Sequence, residues 1–345
     1  MNINREGGIN MKYYLVSDFR ENYPTTLSEN GILFNDHPTR KSILEILNII
    51  QKLGFDCELF GGINELIKSV NSHRKYENTF FINLSDGMSQ EYGRVQAPVL
   101  LEILNVPYSG SDVFGSALMN NKYYSKRALD QENILMPKDT LVTEYIDFDN
   151  HFIQEVGFPV IVKPNHEGSS VGISQNNVCM SMDKLRMQIE KLLPLYKELI
   201  IEEMIVGKDL TDLIIGNPGD IRINEAIITE LHNKNPMSIY GAVEKVQKNR
   251  NLFLADTIFE KETIEKIHTH SEKIFKYLHA SDIARIDYRM SEKDNQLYFL
   301  EINSAPRFSL NTEIGFICQK RNWPYERILK EYLETSLKRN LIKEA

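Results

Sequence analysis

The chain has 345 residues, enough for two or three domains. Its 42% hydrophobic and 26% charged residues fit a soluble globular protein with a sizeable core and exclude a disordered or fibrous chain. Forty basic residues against 48 acidic ones leave a formal charge of −8, which argues against a broad nucleic-acid surface.

The polar start, MNINREGGIN, lacks an apolar signal core. No apolar run reaches the ~18–20 residues that span a bilayer. A cytoplasmic protein with no membrane partner is the expectation, and residues 1–10 read as a loose leader or an early start-codon choice. Tyr13 to Val16 is a first strand. Residues 39–53 place Ile43, Ile46, Leu47 and Ile50 at helical spacing, and Gly54 ends that helix. Asp56–Phe60 and Thr79–Leu84 read as further strands, and 94–104 as a helix with Pro98 in its first turns. Strands alternating with helices imply a mostly parallel sheet over a first unit, 11–111. A second unit, 112–205, opens with a helix over about 114–129. It continues through the strand Phe158–Lys163, a helix over 181–193 and the strand Leu199–Met204. The third unit, 206–338, has strands at Asp212–Ile215, Glu225–Leu231 and Leu297–Ile302. An amphipathic helix over 261–278 precedes the last of these, and a final helix runs from near Pro324 to about Lys338. Cys57, Cys179 and Cys318 are far apart and give neither a disulfide framework nor zinc spacing.

The sharpest local chemistry lies near the C-terminus. In extended strands Arg285 and Asp287 share a face, and so do Glu301 and Asn303. Paired strands would then carry two carboxylates, an amide oxygen and a cation together. Such oxygens suit Mg²⁺ bound with phosphate, and the arginine suits a transferring phosphoryl group. An ordinary solvated face with ion pairs explains the same letters as well. Lys163 ends an apolar strand before the loop His166-Glu-Gly-Ser-Ser-Val-Gly172, where a lysine and loop N–H groups can meet phosphate. A surface turn is an equal reading, because the loop fits neither the P-loop nor the dinucleotide fingerprint. Glu202, Glu203 and Asp209 taken singly are surface carboxylates.

As an ordered set these signals gain specificity. The anchors are Phe81-Ile-Asn-Leu, Glu91-Tyr-Gly-Arg-Val-Gln96, Val106-Pro-Tyr-Ser-Gly-Ser-Asp112, Lys163-Pro-Asn-His-Glu-Gly-Ser-Ser-Val-Gly172, Ile201-Glu-Glu-Met-Ile-Val-Gly207 and Phe299-Leu-Glu-Ile-Asn303. From about Phe81 to Thr312 the chain resembles the ATP-grasp superfamily, and within it the D-alanine–D-alanine ligase-like carboxylate–amine ligases. The resemblance implies an α/β and α+β multidomain architecture: an N-terminal preATP-grasp parallel-sheet domain, a central lid and a C-terminal catalytic domain. It implies that Lys122 and Lys163 contact ATP phosphates and that Ser169, Ser170 and Val171 lie in a loop over the triphosphate. Glu202, Glu203, Met204 and Ile205 match the hinge strand at the adenine, and Asp209 the ribose-holding carboxylate. Lys245 matches a lysine near the terminal phosphates. Asp287, Glu301 and Asn303 match the ligands of two Mg²⁺ ions, with Mn²⁺ as a substitute, and Arg285 the arginine that steadies an acyl phosphate. The implied partners are ATP and small carboxylate and amine substrates, amino acids among them, with a homodimer common among relatives.

Three departures set the chain apart from the resemblance. Arg307, in Ala305-Pro-Arg-Phe308, stands where a glycine is usual, and its backbone N–H stays available to an oxyanion. Asp18-Phe-Arg-Glu-Asn-Tyr replaces a glycine-rich start with a gripping glutamate. Ser85-Asp-Gly87 replaces a His-Gly element. The expectation is therefore a ligase for substrates other than two D-alanines, with Arg20, Arg94 and Arg307 as candidate grips on carboxylates. Two other readings are a small-molecule kinase on the same fold and a non-catalytic nucleotide-binding protein.

Overall fold

The computed structural model describes residues 11–23, 37–89, 91–144, 150–168, 170–241 and 249–343. Three strands, β1 (Lys12–Val16), β2 (Cys57–Gly61) and β3 (Thr79–Asn83), form a parallel sheet in the order β2-β1-β3. Helix α1 (Arg40–Lys52) begins where the Thr39 side chain accepts the Ser42 N–H. It buries Ile43, Ile46 and Ile50 along one stripe, each worth roughly 1.5–3 kcal/mol by area. Helices α2 (Ile63–Asn71) and α3 (Gly93–Ile103) complete the expected α/β unit. The nine-residue α2 was not anticipated, since so short a segment shows little period.

The single helix expected over 114–129 is two. Helix α4 (Val113–Met119) starts at Asp112, which accepts the Gly115 N–H, and α5 (Lys122–Ala128) starts at Asn121, which accepts the Tyr124 N–H. The extended backbone of Asn121 ends one helix and caps the next, which puts Lys122 at the first position of α5. Next come β4 (Asp139–Val142), α6 (Asn150–Val156), β5 (Val160–Pro164), β6 (Val178–Cys179), α7 (Met182–Tyr196) and β7 (Leu199–Glu203). The four strands form an antiparallel sheet in the order β4-β7-β5-β6. Val160, Val162, Leu199 and Ile201 pack with Leu185, Ile189 and Leu192 of α7. Strict alternation turns Ile161, Lys163 and Glu202 to the opposite face.

The largest sheet is antiparallel, ordered β10-β9-β8-β11-β12. Its strands are β8 (Gly207–Asn217), β9 (Asp220–Leu231), β10 (Arg250–Leu254), β11 (Asp282–Ser291) and β12 (Leu297–Asn303). Strands β8 and β9 are far longer than the sequence suggested, because their ends carry charged side chains that blur an apolar run. On one face Leu210, Ile214, Ile228, Ile286 and Tyr288 pack against α8 (Lys261–Tyr277), and Met119, Leu129 and Ile134 join them. On the other face Leu213, Ile215 and Ile227 pack with α9 (Glu313–Arg321), α10 (Tyr325–Lys343) and Ile43, Ile46 and Ile50 of α1. The first and last units thus share a core, and the polar end of that face is left to the site. Among the described residues no helix is long and apolar enough to cross a membrane.

Candidate active site between two antiparallel sheets

Strand pairing delivers the expected face. Arg285 lies opposite Asn303 and Asp287 opposite Glu301, while β8 brings Thr211 beside Asp287 and Asp209 beside Arg289. A bulge in β12 turns both Leu300 and Glu301 to the cavity. Arg285 grips Asp287 with two hydrogen bonds, of 3.1 and 2.7 Å, and Thr211 Oγ1 donates to Asp287 at 2.8 Å. Lys122 Nζ stands 3.1 Å from Glu301 and also donates to the Glu167 carbonyl. Arg94 donates to Asn303 Oδ1 at 2.7 Å and to Asp86 at 3.1 Å.

Burial pushes the Asp287 carboxyl up against the pull of Arg285, and the neighbouring Glu301 adds to the rise. Burial acts the same way on Glu301, but Lys122 and Lys163 overcome it and lower its pKa. Burial opposes the charge of Arg285, yet Asp287 and Glu313 more than restore it. Two carboxylates and an amide oxygen on one face fit a hard divalent cation that shares its remaining positions with phosphate. Among the described residues no cluster of three or more His, Cys, Asp or Glu forms, so this oxygen set is the candidate centre.

Across the cleft, Lys163 Nζ lies 2.5 Å from Glu202 Oε2, and Lys126 pairs with the other oxygen of Glu202. Glu202 and Lys126 are fully buried. Burial alone would raise the Glu202 carboxyl; the two lysines hold it at about 2. The Glu202 side chain therefore anchors lysines instead of facing open space. Ser170, with a positive φ of 64°, donates to the Tyr240 carbonyl at 2.9 Å. Gly172 also has a positive φ, and a Cβ there would meet Pro164 and Tyr196 under 3 Å, so glycine is required.

Two cavities meet here. A narrow one of about 150 Å³ lies between the sheets, lined by Lys163, Ser170, Glu202, Glu203, Met204, Ile205, Asp209, Asp287 and Glu301. Ile161, Met204 and Ile239 form an apolar cluster on its wall. A wider one of about 690 Å³ opens toward the N-terminal unit and contains Asn303 and Arg307. Tyr240, Arg250, Arg285 and Glu313 line both. Lys122 reaches the site through Glu301, while Val171 is buried in its own loop. Ser169 and Lys245 lie outside the described residues.

Several site residues were not singled out from the sequence. Glu313 accepts Arg250 at 2.8 Å and lies 3.7 Å from Arg285. Burial would raise it, but Arg285 and Arg250 hold it at about 2. Arg289 pairs with Asp209 and donates to the carbonyls of Ile205, Pro236 and Ser238 at 3.1, 2.7 and 2.9 Å. Continuing the alternation Arg285, Asp287 by one step would have found it. Lys126 stands one helical turn after Lys122, a spacing that places both on one side of α5.

A slot between a small and a large antiparallel sheet, with lysines on one wall and metal-type oxygens on the other, is the ATP-grasp arrangement. The family model described as "D-ala D-ala ligase C-terminus" matches residues 131–334. A D-alanine–D-alanine ligase of Geobacillus thermodenitrificans is 30% identical over 264 residues, covering 74% of this chain and 69% of that protein. D-alanine–D-alanine ligase B of Clostridium perfringens is 29% identical over 255 residues, covering 74% and 80%. In fold, the crystal structure of the Bacillus anthracis D-alanine–D-alanine ligase complexed with ATP superposes with a TM-score of 0.70 at 21% identity, covering 96% of this chain and 99% of that one. The chain belongs to the D-alanine–D-alanine ligase family of ATP-dependent, ADP-forming carboxylate–amine ligases.

Proposed function

We propose that this ligase joins a carboxylate and an amine other than two D-alanines, through an acyl phosphate. The observation that carries the reading is Arg285, which lines both the narrow slot and the wide cavity. It stands where a phosphoryl group leaving the slot meets a carboxylate in the cavity. In this reading Ile161, Met204, Ile205 and Ile239 hold the base and Asp209 the ribose. Lys122, Lys163, Lys245 and the 168–172 loop hold the phosphates. Asp287, Glu301 and Asn303 hold two Mg²⁺ ions, which neutralise phosphate charge when bound; Mn²⁺ would take the same oxygens. Each of those oxygens now faces a protein cation, so ligand entry trades Arg285, Lys122 and Arg94 from carboxylate or amide to phosphate. The γ-phosphoryl group moves to the substrate carboxylate and ADP leaves. The amine then attacks the acyl carbon, an amide forms and phosphate departs, with Arg285 offsetting charge in both steps. The reading keeps three working units, 11–111, 112–205 and 206–338.

The departure from D-alanine rests on Arg307 in the wide cavity, where the pattern has glycine, and on Asp86 in the altered Ser85-Asp-Gly87 element. The test is product mass spectrometry with ADP measured in the same sample, using Mg²⁺, ATP and pooled amino acids. A mass equal to two substrates minus water is expected, and it should vanish in Glu301→Gln and Lys163→Met. D-alanyl-D-alanine formed far above every other product would sink the substrate claim. A stable phosphorylated product would make the chain a kinase.

A further inference from the structure

Arg285 is held from two sides. Its Nε and Nη2 donate to the two oxygens of Asp287 at 3.1 and 2.7 Å, and its remaining nitrogen, Nη1, lies 3.7 Å from Glu313 Oε2. The other oxygen of Glu313 pairs with Nη1 of Arg250 at 2.8 Å. One carboxylate thus bridges two guanidinium groups, an oxygen to each. All three side chains line both the narrow slot and the wide cavity. The Glu313 side chain is only 15% exposed, so water competes little for either oxygen.

Both ends of the bridge are firmly seated. Glu313 opens α9, whose Ile314 and Ile317 are buried in the shared core. Arg250 stacks its guanidinium over the Tyr240 ring, 4.4 Å from the centroid. The two acids on Arg285 have different surroundings. Asp287 lies opposite Glu301 in the oxygen set proposed for a cation, so a cation drawn to it takes it from Arg285. That exchange opens the Nε and Nη2 edge, the planar fork that suits phosphoryl oxygens. Glu313 comes from another element and keeps its hold on Nη1.

We infer that Glu313 is a positioning residue for the ligation. It holds Arg285 by Nη1, so that the Nε and Nη2 edge meets the phosphoryl group passing from slot to cavity as a fixed fork. Arg250 completes the bridge by fixing the second oxygen of Glu313. This goes beyond the ligase reading and rests on its placement of Arg285 at the phosphoryl junction.

The test is a double-mutant cycle in the full-length enzyme with Glu313→Gln, Arg285→Gln and the pair. ADP release and product mass are read with Mg²⁺, ATP and pooled amino acids, and kcat is taken per nucleotide site counted by calorimetry. Glu313→Gln should lower kcat by about 10–10²-fold, the scale for a misplaced reacting group, with KM for ATP changed by no more than about threefold. Glu313→Asp should recover part of the loss, because it keeps a charge between the two guanidinium groups. The pair should fall no more than about threefold below Arg285→Gln alone, since groups that act as a unit are not additive. A merely structural Glu313 lowers the number of folded sites and leaves kcat per site within about twofold, which overturns the inference. Effects that multiply in the pair overturn it too, while the ligase reading stands. Arg285→Gln with unchanged kcat removes the reading of Arg285, and the inference falls with it. Should Glu313→Gln not fold, Glu313→Asp takes its place in the cycle with the same non-additivity expected. A phosphorylated product without amide removes the ligase reading, and the same cycle on ADP release then judges the inference. If nothing turns over, calorimetry with MgADP, with and without aluminium fluoride as the phosphoryl mimic, decides. Aluminium fluoride should tighten MgADP binding, and Glu313→Gln and Arg285→Gln should each lose at least tenfold of that gain, the pair losing no more than Arg285→Gln. An equal response in wild type and Glu313→Gln, none in either included, overturns the inference, as does a loss that Arg285→Gln does not share.

Discussion

The narrow slot and the wide cavity share Arg285 and Glu313 but are built on different logic. Among the described residues the cations of the slot sit against named acids: Lys126 and Lys163 on Glu202, Lys122 on Glu301, Arg285 on Asp287, Arg289 on Asp209 and Arg250 on Glu313. Such a lattice holds its groups in place before a polyanion arrives, and only exchange of partners is needed to receive one. The wide cavity instead is lined, among the described residues, by five arginines, Asp86 and Glu313 together with apolar side chains such as Ile283 and Phe308. The difference separates two tasks. In the proposed reading the slot receives ATP and the wide cavity receives the carboxylate and the amine.

The comparison breaks first at the junction. Arg285→Gln should lower kcat by about 10²–10³-fold, the range for losing one donor to a developing oxyanion. Nucleotide affinity, read by calorimetry, should change far less. A loss confined to nucleotide binding would move Arg285 wholly into the slot. Next is Glu202, fully buried between two lysines. Glu202→Gln leaves buried positive charge short of a partner and should cost about 3–5 kcal/mol in chemical denaturation. A change near zero would mean that the lysines reach water.

The acid side of the pH profile follows from the same groups. Glu202 and Glu313 are both held at about 2, below the ordinary carboxylate range. A depressed folded-state pKa contributes stability that is complete above the unfolded value of about 4.5 and is lost as pH falls toward 2. The melting temperature should therefore drop steeply between pH 4.5 and 2. Glu202→Gln should flatten that slope, because the proton it takes up on unfolding is removed. An unchanged slope would assign the acid sensitivity to other carboxylates.

How far the sequence reveals the site depends on which geometry places each residue. Period-two alternation is local, so Arg285 with Asp287 and Glu301 with Asn303 were legible once two strands were supposed to pair. Their pairing in register came from the sheet. The parallel first sheet and the α/β order were legible for the same local reason. Glu313 was not. It opens α9, and only the packing of that helix on the shared core brings it between Arg250 and Arg285. Arg250 lies on β10, a short strand whose polar start hides it. The single helix expected over 114–129 is two because the average character of the stretch is helical, while one capping asparagine decides where it breaks. Long-range packing built the wide cavity, so the gathering of its described arginines is invisible in any window of the chain.

Met204 gives the smallest and most local test of the slot. It is 8% exposed and packs with Ile161, Val178 and Ile239 on the wall assigned to the base. Thioether and branched aliphatic side chains of similar volume exchange at less than about 1.5 kcal/mol. Met204→Leu should then change KM for ATP by no more than about tenfold, with kcat and the amino-acid preference unmoved. Met204→Glu puts a charge on the same wall and should raise KM for ATP by well over that factor. If both variants altered the amino-acid preference while leaving KM for ATP alone, the base would not lie on this wall, and the division of labour between the two cavities would have to be redrawn.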